Sequence, residues 1–207
     1  MNPARHLSSV SDQLALFADE EYKPVEIDTV YQYLLVLSPP DEHLDKIKRL
    51  KYDLNHLAYL GSYNLFSIPH ITLARMQSVH RQLGSFGRPL QKNLAGHGPL
   101  QVALNGFNYL ERGKDLRTLY LHIEEPAPIS AIHDQLHASL GIPVQPYVPH
   151  LSIAKEISNA SFQELWAQLP PQGYRDVFVC DHVVVLERTI RNQKVSHYKP
   201  VKKLKLG

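Results

Sequence analysis

The chain has 207 residues, 43% of them hydrophobic, which suits one packed domain or one domain of two lobes. Its formal charge is +2, with lysine and arginine scattered along it. That balance excludes a protein that coats duplex nucleic acid but leaves room for a local basic cleft. A lone cysteine, Cys180, rules out an intramolecular disulfide and reads as a small core residue in the apolar run VFVCDHVVVL.

Residues 1–27 read as a tail or extension with a short amphipathic piece, and residues 28–207 as a single bilobal domain. The first twenty residues hold no long apolar run, so neither a signal peptide nor a membrane anchor is expected. The cytoplasm is the expected compartment. VYQYLLVLSPP reads as a strand stopped by Pro39 and Pro40. A helix is predicted from about Asp41, with Leu44, Ile47, Leu50, Leu54 and Leu57 at helical spacing and Gly61 beyond its end. FSIPHITLARM is predicted as a strand. A helical stretch between about Val79 and Ala95 is weakened by Gly84, Gly87 and Pro89.

PLQVALNGFNYL and LRTLYLHIE read as strands, and APISAIHDQLHASLG as a helix ending at Gly141. VPHLSIAKE reads as a strand and ASFQELWAQL as a helix stopped by prolines. DVFVCDHVVVLER and KVSHYKPVKKLKL are predicted as a closing pair of strands, the lysines of the last protecting a solvated edge. Strands alternate with helices in both halves. The expected fold is therefore α+β: two pseudo-symmetric lobes, each a small, mostly antiparallel sheet backed by helices, around a central cleft.

Two stretches repeat one another, SIPHITLARM (67–76) and YVPHLSIAKE (147–156). Both hold Pro-His-aliphatic-hydroxyl-aliphatic-Ala-basic. His-x-Ser/Thr also occurs at His6 and His137, but these lie in the tail and in a helical pattern. On a strand, side chains two apart share a face; on a helix they diverge by roughly 200°. Only the repeated pairs, His70 with Thr72 and His150 with Ser152, are thus placed to act together. One neutral histidine can take a proton from an attacking oxygen while a protonated one gives a proton to a leaving oxygen. The hydroxyls can donate to non-bridging phosphate oxygens. This set suits phosphoryl transfer without metal or cofactor.

Other residues read less sharply. Arg75 and Lys155 are candidate phosphate contacts, although regular strand parity places both on the aliphatic face. Tyr147, Tyr31, Tyr33, Phe66 and Tyr109 lie near strand ends and are candidates to stack on a base, with Tyr147 and Tyr31 put forward. His122 shares a strand face with Tyr120 and Glu124. His133 and His137 are spaced i, i+4, but no glutamate follows His133 and no third ligand is evident, so no metal site is expected.

The duplicated motifs resemble those of the 2H phosphoesterase superfamily, which includes bacterial 2'-5' RNA ligase-like proteins and 2',3'-cyclic nucleotide phosphodiesterases. The matching tetrapeptides are His70-Ile71-Thr72-Leu73 and His150-Leu151-Ser152-Ile153, with Ser for Thr and Ile for Leu in the second. The resemblance covers about Asp28 to the end. It implies a duplicated fold, metal-independent chemistry at His70, Thr72, His150 and Ser152, and RNA ends or cyclic nucleotides as partners. It also implies hydrolysis of a 2',3'-cyclic phosphate to the 2'-phosphate, with reversible 2'-5' ligation as a second activity. The alternatives are a nucleotide-binding module with little chemistry, or an enzyme for another phosphoester such as a 2'-5' oligoadenylate or a cyclic ADP-ribose derivative. Separately, Gln13-Leu14-Ala15-Leu16-Phe17 resembles short peptides that dock on the bacterial sliding clamp.

Overall fold

The computed structural model describes residues 29–170 and 173–207. The 1–27 extension and its Gln13–Phe17 peptide lie outside the described residues.

Within the described residues, nine strands and five helices alternate along the chain. The first strand β1 (Thr29–Leu37) leads through helix α1 (Asp41–Leu57) and a single helical turn α2 (Ser62–Phe66) to β2 (Ile71–Ser78). Next come α3 (Leu83–Leu94), the hairpin of β3 (Leu100–Arg112) and β4 (Leu116–Ile123), then α4 (Ala127–Leu140) and β5 (His150–Ser158). The chain closes with α5 (Asn159–Gln168), β6 (Arg175–Cys180), β7 (His182–Arg191), the short β8 (Lys194–Val195) and β9 (Lys199–Lys205).

Local chemistry explains the ends of these elements. Asp41 and Glu42 in the first turn of α1 face the positive end of its dipole. Gly141 ends α4 in the left-handed conformation at φ 63°, which glycine adopts without a Cβ penalty. The Ser158 side chain accepts from the Ser161 backbone N–H at 3.1 Å and so caps α5.

Every strand pairing is antiparallel, and the order is β6-β3-β4-β5-β2-β1-β7-β8, with β9 also on β7. The two halves of this order touch through one residue pair, Ile71 with Leu151. Each half is thus a small antiparallel sheet, β5-β4-β3-β6 on one side of the seam and β2-β1-β7-β9 on the other. Leu119, Leu121, Ile71, Leu73, Leu151 and Ile153 are buried at or beside the seam.

The predicted strand over residues 176–188 is two strands. Asp181 alone separates β6 from β7, yet these lie in different half-sheets. One residue spans only a few ångströms, so the outer strands of the two halves are drawn together and the sheet folds into two lobes. The His43 ring, in α1, bonds Asp176 of β6 at 2.7 Å across the same junction. The predicted strand over 194–206 also divides, into β8 and β9. β9 pairs with β7 alone, an edge carrying exposed Lys199, Lys203 and Lys205. Residues 62–66, to which the sequence pattern assigns no helix, form α2.

Candidate active site

The motif strands β2 and β5 meet at the seam, so their polar positions face one another. Antiparallel pairing of Ile71 with Leu151 sets His70 opposite Ser152 and Thr72 opposite His150. Each histidine therefore neighbours the hydroxyl of the other lobe as well as that of its own. Thr72, His150 and Ser152 line a cleft of about 710 Å³. His70 lines an adjoining pocket, which shares Tyr63, Ser152 and Lys155 with the cleft.

The two rings are held alike. His70 Nδ1 lies 2.8 Å from the Ile68 carbonyl, and His150 Nδ1 lies 2.7 Å from the Val148 carbonyl. A carbonyl only accepts, so each Nδ1 carries the hydrogen and each Nε2 is left for proton transfer. Among the described residues neither Nε2 has a protein partner. Tyr120 packs against the His150 ring at 5.0 Å between centroids and limits its rotation.

Strand parity fails just beyond both histidines, at equivalent places. Between β1 and β2 the register steps from Thr72 to Ala74, and between β4 and β5 it steps from Ser152 to Ala154. Leu73 and Ile153 are thus bulge residues, three positions after each histidine. A bulge moves every later side chain to the opposite face. Leu73, Ala74, Ile153 and Ala154 are all buried in succession, and Arg75 and Lys155 then line the cleft. The regular-parity placement of these two residues on the aliphatic face is corrected accordingly. Their only signal in the sequence is the adjacent apolar pair, Leu-Ala or Ile-Ala, that breaks alternation.

A polar frame beneath His70 has little sequence signature. Lys51 is fully buried in α1, and its ammonium donates at 2.7 Å to the Asn64 carbonyl, the Ser67 carbonyl and the Ser67 hydroxyl. Three donors meet three acceptors at the turn that carries His70. Burial first, then the charge of Lys155, lowers its pKa to about 8, which leaves it protonated at pH 7. Asn64 extends the frame to the second lobe. Its side-chain amide donates to the Lys155 carbonyl at 2.9 Å and accepts from the Lys155 N–H at 2.8 Å. The amide stands in for a strand neighbour where β5 is irregular, and Glu156 beside it has a φ of 55°.

The cleft is electropositive. Arg75, Arg112 and Lys155 line it, with Glu156 as its one acidic lining residue among the described residues. Burial first, then Lys155, Arg75 and Lys51, lowers the His70 pKa to about 4, against its bond to Ile68, which raises it. His150 is lowered by burial first and then by Lys155, Arg112 and Arg75, against its bond to Val148. Both rings are therefore neutral near pH 7. Replacing Lys155 by methionine should move the His70 titration upward from about 4, read by NMR of the ring carbons. It should also lower kcat/KM by about 10², the scale for losing one preorganised donor. An unmoved His70 titration would remove Lys155 from its field.

The remaining candidates divide. Tyr147 lines the cleft, but its hydroxyl donates to the Thr72 carbonyl at 2.7 Å and one ring face lies against His133. It acts as a wall that braces β2. Tyr31 is not brought to the cleft: it pairs with Ser78 and Thr189 in β1 and packs against the core. Tyr33 is buried and bonds the Gln82 N–H, while Tyr109 packs on Phe162 and Trp166. Phe66 is exposed on α2, and Tyr63, not singled out from the sequence, lines both the cleft and the His70 pocket. Arg112 and the buried Thr118 are further lining residues that motif reading missed, because nothing in β3 or β4 resembles the repeat.

Comparison with known proteins agrees with this architecture. The chain is 26% identical over 146 residues to the "Putative phosphoesterase GK0864" of Geobacillus kaustophilus, covering 68% of this chain and 79% of that one. The fold is similar to that of Escherichia coli LigT, with a TM-score of 0.62 at 14% identity over 86% of this chain and 98% of LigT. It is also similar to TT0787 of Thermus thermophilus, with a TM-score of 0.57 at 14% identity over 84% of this chain and 97% of that one. Residues 39–191, which include both histidine motifs and the seam, match one family, and the chain belongs to the 2'-5' RNA ligase superfamily.

Proposed function

We infer that the protein is a metal-independent phosphoesterase that hydrolyses 2',3'-cyclic phosphates of RNA ends or nucleotides. The observation that carries this reading is the seam. Two histidines, each fixed with its Nε2 free, stand on adjacent antiparallel strands, each beside a hydroxyl of the other lobe. Water attacks phosphorus as one neutral histidine accepts its proton. The bond from phosphorus to O3' breaks as the other histidine, protonated, supplies a proton to that oxygen. Thr72 and Ser152 donate to the non-bridging oxygens, and Arg75, Arg112 and Lys155 hold the charge. The product carries a 2'-phosphate and a 3'-hydroxyl, and proton exchange with solvent resets the pair. Ligation at the same site replaces water by a 5'-hydroxyl, which attacks phosphorus as the bond to O3' breaks and leaves a 2'-5' linkage; the reverse step expels the 5'-hydroxyl and restores the cyclic phosphate. LigT, which shares this fold, has been solved with 3'-AMP and with phosphate, which supports a nucleotide phosphate as a ligand here.

The neutral histidines of the cleft make anion binding proton-linked. An anion raises their pKa, so binding takes up protons and strengthens as pH falls. Sulfate keeps its charge between pH 5 and 8 and isolates the effect. Its affinity should rise from pH 7 to pH 5 and further toward pH 4, where His70 titrates without the anion, approaching about tenfold for each pKa unit by which the anion raises a ring. Calorimetry in two buffers of different ionisation enthalpy should report proton uptake. Equal affinity at both pH values would contradict it.

The substrate class is tested by a panel of 2',3'-cyclic AMP, a cyclic-phosphate-ended oligonucleotide, a 2'-5' oligoadenylate and a cyclic ADP-ribose derivative. Phosphorus NMR identifies the product. Turnover of the first two to the 2'-phosphate is expected. Turnover of the last two alone would replace this reading.

A further inference from the structure

His133 and His137, on the inner side of α4, have no part in the chemistry above. With Tyr147 they form a column of rings: Tyr147 stacks on His133 at 3.9 Å and 4°, and His137 lies 4.0 Å from His133 between centroids. All three line the same cleft as Thr72, His150 and Ser152. The column is tied to the reacting centre by the bond from the Tyr147 hydroxyl to the Thr72 carbonyl.

The exposed atoms of the pair can be identified. His133 and His137 are only 4% and 8% exposed, so only an edge of each ring meets the cleft. His133 Nδ1 bonds Asp134 at 2.8 Å, and His137 Nδ1 bonds the Pro143 carbonyl at 3.1 Å. Both partners accept, so Nδ1 carries the hydrogen in each ring. Neither Nε2 has a protein partner among the described residues, and none of their buried polar side-chain atoms is left unpartnered. The two Nε2 atoms are therefore open to the cleft. In the Nδ1–H form each presents a lone pair.

Two adjacent acceptors call for a ligand with two donors. Phosphate offers none, and Arg75, Arg112 and Lys155 already serve it. An exocyclic amino group fits. Its two N–H bonds diverge at about 120°, so acceptors at about 3 Å from its nitrogen lie roughly 5 Å apart, a span two neighbouring rings can supply. Uracil presents instead a single N–H flanked by carbonyl oxygens, which would oppose the second lone pair.

We propose that His133 and His137 form a nucleobase subsite that accepts hydrogen bonds from the exocyclic amino group of cytosine, adenine or guanine and disfavours uracil. The subsite rests on the nucleotide-phosphoesterase reading and supplies its base preference. Cytosine and uracil are the sharpest pair, since they match in size and differ at this edge.

The test is binding of 3'-CMP and 3'-UMP by calorimetry, which needs no turnover. The wild type should bind 3'-CMP about tenfold more tightly, the scale for an amino group paired against one left facing an acceptor. His133→Phe keeps a ring against Tyr147 and removes one acceptor, so the ratio should fall to about one at unchanged melting temperature. Should that variant not fold, the ring resonances of His133 and His137 in the wild type decide. They should shift with 3'-CMP and much less with 3'-UMP. Equal affinities in the wild type, a ratio retained in folded His133→Phe, equal ring shifts, or no binding of either nucleotide would overturn the subsite. Preferential binding of 3'-CMP without turnover of 2',3'-cyclic CMP would sink the phosphoesterase reading instead and leave the subsite standing.

Discussion

Alanine at either His70 or His150 is expected to lower kcat by about 10²–10⁴, the usual scale for removing a positioned acid or base. Each ring is fixed through Nδ1 to a carbonyl two residues before it, so both losses arise from a missing Nε2 and not from a missing scaffold. The double variant should be scarcely slower than the slower single one, because one proton carrier cannot complete the transfer without the other. Multiplicative losses would contradict a coupled pair. Thr72→Val and Ser152→Ala test the seam in a different way. Each removes a donor to the phosphate and should cost about 10²–10³ in kcat. A hydroxyl variant with wild-type kcat would remove that residue from the site.

The second large effect is expected at Lys51, remote from any motif. Lys51→Met keeps most of the volume but leaves the Asn64 and Ser67 carbonyls and the Ser67 hydroxyl without their shared donor. The Ser67 hydroxyl still donates to the Asn64 carbonyl at 2.9 Å, so the Ser67 carbonyl is the acceptor left unsatisfied; that penalty and the lost charge-assisted bonds together come to about 3 kcal/mol. For a chain of this size that is a melting temperature lower by roughly 10 °C. The turn that carries His70 would also loosen. Activity measured well below the melting transition should fall by about 10², since a displacement of about 1 Å at a reacting group has that effect. An unchanged melting temperature would show that the ammonium is not the anchor of this turn.

Much of this site was legible as a pattern, and the rest was hidden for identifiable reasons. Period-two alternation was enough to separate His70 and His150 from His6 and His137. It also placed Thr72 and Ser152 beside them. The same rule misplaced Arg75 and Lys155, because a bulge at Leu73 and another at Ile153 reverse the alternation before each basic side chain is reached. A bulge changes hydrogen-bond register, which no single strand's composition encodes. The break at Asp181 was missed because β6 and β7 have the same apolar character on either side of one residue. Their assignment to different lobes follows from pairing with β3 and β1.

Lys51 has no signature in the sequence, since charged side chains are rarely buried without partners. Its partners are two carbonyls and a hydroxyl, which leave no charge complement to find in the sequence. The pairing of each histidine with the hydroxyl of the opposite lobe was likewise out of reach. It depends on the single contact of Ile71 with Leu151, a tertiary fact. The helical spacing of His133 and His137 was visible, but their stacking with Tyr147 and the tautomer set by Asp134 and Pro143 were not.

The most direct single measurement is turnover of an oligonucleotide ending in a 2',3'-cyclic phosphate by the wild-type protein in excess EDTA. The expected result is conversion to the 2'-phosphate with a bell-shaped dependence on pH, both limbs belonging to the coupled histidine pair. No conversion by folded protein, or conversion that EDTA abolishes and a divalent metal restores, would contradict a metal-free two-histidine phosphoesterase.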